Sequence, residues 1–248
     1  MTNDSGISSV LHIQNVSAGY DQKTILNSVD LDIRKGEFFG LIGLNGAGKT
    51  TLIKTILGLR SPQAGEIKVF GQNNASMDAK RHMAYLPERF DPPWFLTGFE
   101  FLKFSLRMYR QHYNEAQIIE AAEKLALDKA ALGMRVQSYS KGMRQKLGLL
   151  GTVLTGCDFL MLDEPMSGLD PLARTLVKDM LNDAKNKNHT IFLSSHILAD
   201  LDEICDRIAI LYEGTIRYVG TPAELKSRTS SENLERSFLE YIENREYA

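Results

Sequence analysis

The run Gly43-Leu-Asn-Gly-Ala-Gly-Lys-Thr50 narrows what this chain can become more than any other stretch of it. It has the pattern G-x-x-x-x-G-K-[ST], and its flanks supply the context the pattern needs. Glu37 to Ile42 is a short apolar run that reads as a strand, and Lys49 to Leu59 spaces Leu52, Ile53, Ile56 and Leu57 as a helix does. A strand that turns through glycines into a helix lets backbone N–H groups wrap an anion while the positive end of the helix faces it. Gly43, Asn45, Gly46, Ala47, Gly48, Lys49, Thr50 and Thr51 are therefore the expected phosphate-binding residues. Lys49 would bring a charge to the β and γ phosphates of a nucleotide, and Thr50 a hydroxyl to Mg²⁺. A glycine-rich turn that holds no ligand is the plainer alternative.

The elements around the loop alternate as an α/β sheet requires. Val10 to Val16, Ile25 to Ile33 and Glu66 to Phe70 read as strands, separated by turn formers such as Gly19 with Asp21 and Ser61 to Gly65. From Thr97 to Thr155 the pattern becomes helical, with helices predicted over Gly98 to Met108, Glu115 to Leu127 and Lys141 to Leu154. Strands return at Phe159 to Leu162, Thr190 to Ser194 and Arg207 to Leu211. A helix opens at Asp170-Pro171, where Asp caps and Pro suits the first position. Pro222 to Tyr247 reads as two short helices.

A phosphate site for hydrolysis also needs carboxylates, one beside the metal and one to activate water. Phe159-Leu-Met-Leu-Asp163-Glu164 supplies both at the carboxyl end of a buried strand, where an open parallel sheet places its ligands. Asp163 is the expected metal-side acid and Glu164 the expected general base. In Tyr139-Ser-Lys-Gly-Met-Arg-Gln145, Ser140 is a good N-cap and Gly142 opens a long apolar helix, a second anion-binding helix start. One chain has little need of two such starts for one triphosphate, unless the second faces a nucleotide on another subunit. Read alone, Ser-x-Gly before a helix is only a cap.

Composition removes several classes. Lys plus Arg total 29 against 31 Asp plus Glu, a formal charge of −2, which leaves no electrostatic footprint for nucleic acid. Met1 to Ser9 is polar and lacks a secretory pattern, and the uncharged apolar stretch Leu147 to Cys157 is too short to span a bilayer. The expectation is a chain kept in the cytosol. Cys157 and Cys205 sit in apolar surroundings without a Cys-x-x-Cys or Cys/His cluster and are expected as buried free thiols.

In their order along the chain, the phosphate loop, Ser140-Lys-Gly142, Asp163-Glu164, Ser167-Gly-Leu-Asp170 and Ser194-Ser-His196 resemble the ATP-binding subunit of ABC transporters, over nearly the whole sequence. The resemblance implies an α/β fold with a P-loop ATPase core on a mostly parallel sheet, an N-terminal antiparallel β subdomain and an inserted α-helical subdomain at about 89–156. One ATPase domain would cover 1–221, with a helical tail over 222–248. It further implies ATP and Mg²⁺ as cofactors, with Tyr20 stacking on adenine and Ser140 and Gly142 touching the γ-phosphate of an opposite subunit. Asp170 would lie in the loop linking the two sites, and His196 would sense the γ-phosphate beside the base Glu164. Outside the family, Tyr20 reads as a core aromatic and His196 as a capping or core histidine.

Two motifs depart from the common family pattern. After Leu86-Pro87, where a glutamine bridges metal and membrane domain, the chain carries Glu88, still able to bind Mg²⁺ or its water. The signature has Lys141 for glycine and Met143 for glutamine. With the tail Leu234-Glu-Arg-Ser-Phe238, these departures resemble the type-2 exporters, whose membrane subunit is usually a separate polypeptide. The implied partners are a multi-span membrane permease and a second ATPase subunit, a homodimer being the simplest, at the cytoplasmic face of the membrane. Arg89 to Gly98, with Pro92, Pro93, Trp94 and Phe95, is the candidate permease contact, the alternative being core of the helical region. A soluble ATPase of the same type without transport, as in iron–sulfur assembly, is the competing function. DNA-organising relatives need a very long insertion, and Ser140 lies only 90 positions after Thr50. A catalytically dead subunit would lack Glu164 or His196, and both are present.

Overall fold

A computed structural model describes residues 9–21 and 23–243. Two sheets organise it. The first is antiparallel, in the order β2-β1-β4-β5, from β1 (Ser9–Tyr20), β2 (Lys23–Arg34), β4 (Ala64–Val69) and β5 (Gln72–Asn73). The second runs β10-β9-β3-β8-β7-β6, from β3 (Phe38–Ile42), β6 (Met83–Leu86), β7 (Phe159–Asp163), β8 (Thr190–Ser194), β9 (Arg207–Tyr212) and β10 (Thr215–Gly220). Its five strands from β9 to β6 are parallel, and β10 turns back antiparallel on β9. The expected α/β class with a mostly parallel sheet and an N-terminal antiparallel sheet is what the chain adopts.

The parallel strands are mainly apolar because both of their faces are covered. All residues of β3, β7 and β8 are buried. Alternation then sorts the side chains into two cores. Phe38, Ile42, Leu160, Leu162, Ile191 and Leu193 join the helices on one face, while Phe39, Leu41, Phe159, Met161 and Phe192 meet the antiparallel sheet on the other. Phe39 and Phe192 stack with centroids 6.2 Å apart in that second core. Helix α1 (Lys49–Ile56) buries Leu52, Ile53 and Ile56 in the same place.

Helices α3 (Gly98–Met108), α4 (Glu115–Glu123), α5 (Lys129–Gly133) and α6 (Lys141–Val153) lie in the chain between β6 and β7. Their starts follow capping chemistry. Thr97 and Glu100 form a reciprocal capping box, and the side chains of Asn114, Asp128 and Ser140 each accept the backbone N–H three residues on. Asp170 caps α7 (Pro171–Asn186) through Ala173 N, with Pro171 at the first position as expected. Beyond β8 come α8 (Leu198–Ile204), then, after β10, α9 (Pro222–Arg228) and α10 (Leu234–Glu243). These last two are the predicted tail helices, whose expected end at Tyr247 lies outside the described residues. A short α2 (Met77–Arg81) precedes β6.

An ion pair fastens α7 to α8. Arg174 makes two bonds to Asp200, Nη2 to Oδ1 at 2.7 Å and Nε to Oδ2 at 3.1 Å, and the carboxylate is only 3% exposed. Lys178 adds a second cation 3.6 Å from Asp200 Oδ1. Removing Arg174 takes both of its charge-assisted bonds from the buried carboxylate and leaves only Lys178 beside it, so Arg174→Ala is expected to destabilise the chain by about 2 kcal/mol. Urea unfolding of the variant beside the parent measures it.

The two thiols are free. Cys157 is buried as expected, Cys205 is only partly covered, and burial pushes both above the ordinary thiol range. That disfavours the reactive thiolate at neutral pH.

Candidate nucleotide site

The loop after β3 and the ends of β6, β7 and β8 meet at the carboxyl edge of the parallel sheet, where topology places a ligand crevice. A cavity of about 530 Å³ opens there. Leu44, Asn45, Gly46, Gly48, Lys49, Thr50 and Thr51 form one wall of it, and Glu88, Asp163, Glu164 and His196 face them. Tyr20 and Ile25, from the hairpin of β1 and β2, close one end. Residues from five separate parts of the sequence thus reach one volume.

The loop's glycines are needed for its shape. Gly46 and Gly48 have φ of 84° and 110°, the left-handed side that favours glycine. A Cβ on Gly48 would fall 2.8 Å from Leu26, and one on Gly43 would fall 2.6 Å from the Leu211 carbonyl. Gly48 stands at the N-cap of α1 and no side chain caps that helix, so its first amides are open to an anion. Lys49 Nζ donates to the Gly43 carbonyl at 2.6 Å, which lays the ammonium along the loop's own rim.

Asp163 and Glu164 end β7 side by side but serve different geometries. Asp163 is buried and accepts the hydroxyl of Ser194 from the neighbouring strand. Glu164 bends away, with φ of 51°, an unusual value for a residue with a side chain. Its carboxylate meets His196, the Nδ1–H donating to Oε2 at 2.7 Å. Burial raises the pKa of both acids; for Glu164 the His196 side chain offsets part of that rise. For Asp163 the Ser194 hydrogen bond lowers it, while the nearby charge of Glu88 adds to the rise. Because these folded values are raised, the pair favours folding most fully below the ordinary carboxylate range. That contribution is lost as pH rises through the raised values, so the site costs stability at neutral pH.

The oxygen donors fit a hard divalent cation. Thr50, Glu88 and Asp163 offer one hydroxyl and two carboxylates to the same cavity, the donor chemistry Mg²⁺ takes. Among the described residues no three acidic, histidine or cysteine side chains cluster closely enough to hold a metal by themselves. A Mg²⁺ ion here would complete its shell with phosphate oxygens and water, as it does in nucleotide sites.

Tyr20 is 42% exposed and lines the cavity, so it is not the core aromatic that its sequence alone allowed. The Arg60 guanidinium lies over its ring at 3.8 Å, and Arg60 also donates to the Gly19 carbonyl. Nothing local in the sequence announced Arg60, which follows α1 and is 40 positions from Tyr20.

Some expected site residues stay outside this cavity. Gly43 lines a neighbouring hollow of about 210 Å³ with Ser195, His196, Glu235, Phe238 and Leu239. Ala47 is buried behind the loop. Ser140, Gly142 and Asp170 do not line the nucleotide cavity of their own chain. Ser140 is exposed at the start of α6, and Asp170 is exposed at the start of α7.

The model of the ABC transporter family matches residues 26–167, more than half of the chain and from β2 to just past Glu164. The chain belongs to the ABC transporter family. It is 39% identical over 203 residues to an uncharacterized ABC transporter ATP-binding protein of Synechocystis, covering 81% of this chain and 57% of that one. It therefore spans little more than half the length of that relative. It is 34% identical to the lantibiotic transport ATP-binding protein SrtF of Streptococcus pyogenes, covering 92% of this chain and 96% of that one. A solved structure described as the ATP-binding subunit of an ABC transporter superposes with a TM-score of 0.86 at 32% identity, over 94% of this chain and 99% of the other.

Ser194 and Gln145 had no role assigned to them from sequence, yet both bond to the Asp163-Glu164 segment. Each stood inside a motif that was noted, and only the fold shows where their side chains go.

Proposed function

We propose that the chain binds and hydrolyses MgATP, and that two copies close on two nucleotides to drive a separate membrane permease, most simply an exporter. The observation that carries this reading is the shared cavity, in which the glycine loop, two carboxylates and a carboxylate–histidine pair face one volume. Lys49, Thr50, Thr51 and the amides of Gly46 to Gly48 bind the phosphates, and Asn45 and Ala47 shape the loop beneath them. Mg²⁺, when bound by Thr50, Asp163 and Glu88, neutralises phosphate charge. Glu164 takes a proton from water, and His196 holds the Glu164 carboxylate in line. Ser140 and Gly142 reach the γ-phosphate on the opposite copy, and Asp170 lies between the two sites. The exposure of Ser140 and Asp170 outside their own cavity supports that assignment. The body over 1–221, the helical subdomain at about 89–156 and the tail over 222–248 belong to the same proposal.

The permease contact is the Arg89 to Gly98 segment. Trp94 is 64% and Phe95 56% exposed, the two rings packed edge to face, so the alternative that they form core falls away. Pro92, in contrast with its expected exposure, is buried. Exposed aromatic pairs of this kind are typical of interface anchors. Phe104 and Met108 on α3 are exposed too. No helix among the described residues is long and apolar enough to cross a membrane. The transport role named for the Streptococcus pyogenes relative supports this reading. Purifying the tagged chain from detergent-solubilised membranes tests it. A multi-span protein in stoichiometric amount is expected, and recovery with soluble assembly factors instead would favour the transport-free ATPase.

Tyr20 is the adenine platform in this scheme. Base stacking on an aromatic ring contributes about 1–3 kcal/mol. Tyr20→Ala is accordingly expected to raise the KM for ATP about tenfold with little change in kcat, read from steady-state phosphate release.

A further inference from the structure

The backbone of Glu164 is held in its unusual conformation from two sides. Its φ is 51°, in a region that a residue with a side chain keeps only where the surroundings over-determine it. On one side its N–H donates to Ser194 of β8, to the carbonyl at 3.1 Å and the hydroxyl at 3.2 Å. On the other, the side-chain amide of Gln145 donates to the carbonyls of Pro165 at 3.1 Å and Glu164 at 3.4 Å. Gln145 is only 5% exposed and Glu164 only 7%. A buried amide spent on two backbone carbonyls does so at the cost of other partners, and losing it would leave those carbonyls short of donors.

Gln145 belongs to α6, the helix capped by Ser140. A displacement of the start of that helix is therefore carried, through one rigid element, to the carbonyls on either side of the Glu164–Pro165 bond. We propose that Gln145 is a positioning residue: its amide fixes the Glu164–Pro165 backbone so that the Glu164 carboxylate meets His196 and the cavity, and it makes that aim depend on the seat of α6. This rests on the reading of Glu164 as the base. It also gives a route by which contact at Ser140, on an opposite nucleotide, alters hydrolysis in the chain's own site.

Gln145→Met keeps the volume and removes only the donors. In the full chain, its kcat for ATP is expected to fall about 10- to 100-fold, the scale of a small misplacement of a reacting group, while KM stays within about twofold. Gln145→Glu supplies a second test with a different readout. Its carboxylate cannot donate to the carbonyls but its acid form can, so its turnover relative to the parent should climb as pH falls. A purely structural role predicts a ratio that is flat with pH. A Gln145→Met kcat within about twofold of the parent, or a flat Gln145→Glu ratio, overturns the proposal. Should the Met variant fail to fold by thermal melting, the Glu ratio decides. Glu164→Gln is assayed alongside. If it still turns over, the base assignment has failed; if it is inactive while Gln145→Met is not, only the positioning role has failed.

Discussion

Replacing Glu164 with Gln is expected to lower ATP turnover by about 100-fold or more, the range over which a positioned general base acts, while ATP affinity stays near that of the parent. The change alters one atom and keeps the shape, so the buried position, the left-handed backbone and the approach of His196 should all persist. What disappears is the ability to take a proton. With hydrolysis blocked and binding intact, the closed pair of subunits should accumulate, visible as an MgATP-dependent doubling of mass in solution. The parent's pH profile follows from the same group. Burial raises the Glu164 pKa, and a base works only when ionised, so activity should fall on the acid side at a pH above the ordinary carboxylate range. That limb should be missing from the residual activity of the Gln variant. Rapid-quench phosphate release across pH measures both, and turnover retained by the variant would remove Glu164 from the base role.

Lys49→Ala is the second large effect expected. The ammonium sits along the phosphate loop beside the Gly43 carbonyl, on the wall of the cavity that faces Asp163 and Glu164. A hydrogen bond to a charged group contributes about 1.5–3 kcal/mol, so its loss should weaken MgATP binding about 10- to 100-fold. The loss should be smaller for ADP, which lacks the terminal phosphate. Calorimetric titration with both nucleotides separates the two. Unchanged affinity for both, together with unchanged turnover, would mean that the loop has another task.

Most of the site could be read from the sequence because its chemistry depends on short local patterns. The glycine loop declares itself by spacing, and its strand and helix by the periodicity of Phe38 to Ile42 and Leu52 to Ile56. Asp163 and Glu164 declare themselves as acids closing an apolar strand. The strand edges were less legible, for physical reasons. β1 and β2 run on past Val16 and Ile33, but bulges shift their register after Ile13 and again after Val16, with Asn15 and Ser28 at positive φ. The two-residue alternation breaks there, and with it the apolar pattern that marks a strand. The predicted helix to Leu59 ends at Ile56, because Gly58 turns left-handed two residues later. Strand β6 is four residues long and β10 buries only Tyr218, too little signal for a periodicity argument. Helices α2, α5 and α8 have five, five and seven residues, fewer than two full turns, and were missed for the same reason.

Contacts made at long range left no local trace. Ser194 reaches Asp163 because β8 pairs with β7, Gln145 reaches Pro165 from α6, and Arg60, beyond α1, reaches Tyr20 at the end of β1. Sequence spacing marks Ser140 and Asp170 as helix caps, which they are, and neither lines the nucleotide cavity of its own chain.

Nucleotide cleavage in the intact assembly bears on all of this at once. The purified chain, kept together with the membrane protein it is isolated with, is expected to retain MgATP in proportion to its copy number and release phosphate steadily. An assembly that neither holds nor splits MgATP, although correctly folded and complete, would contradict the reading of the cavity between Lys49 and Glu164.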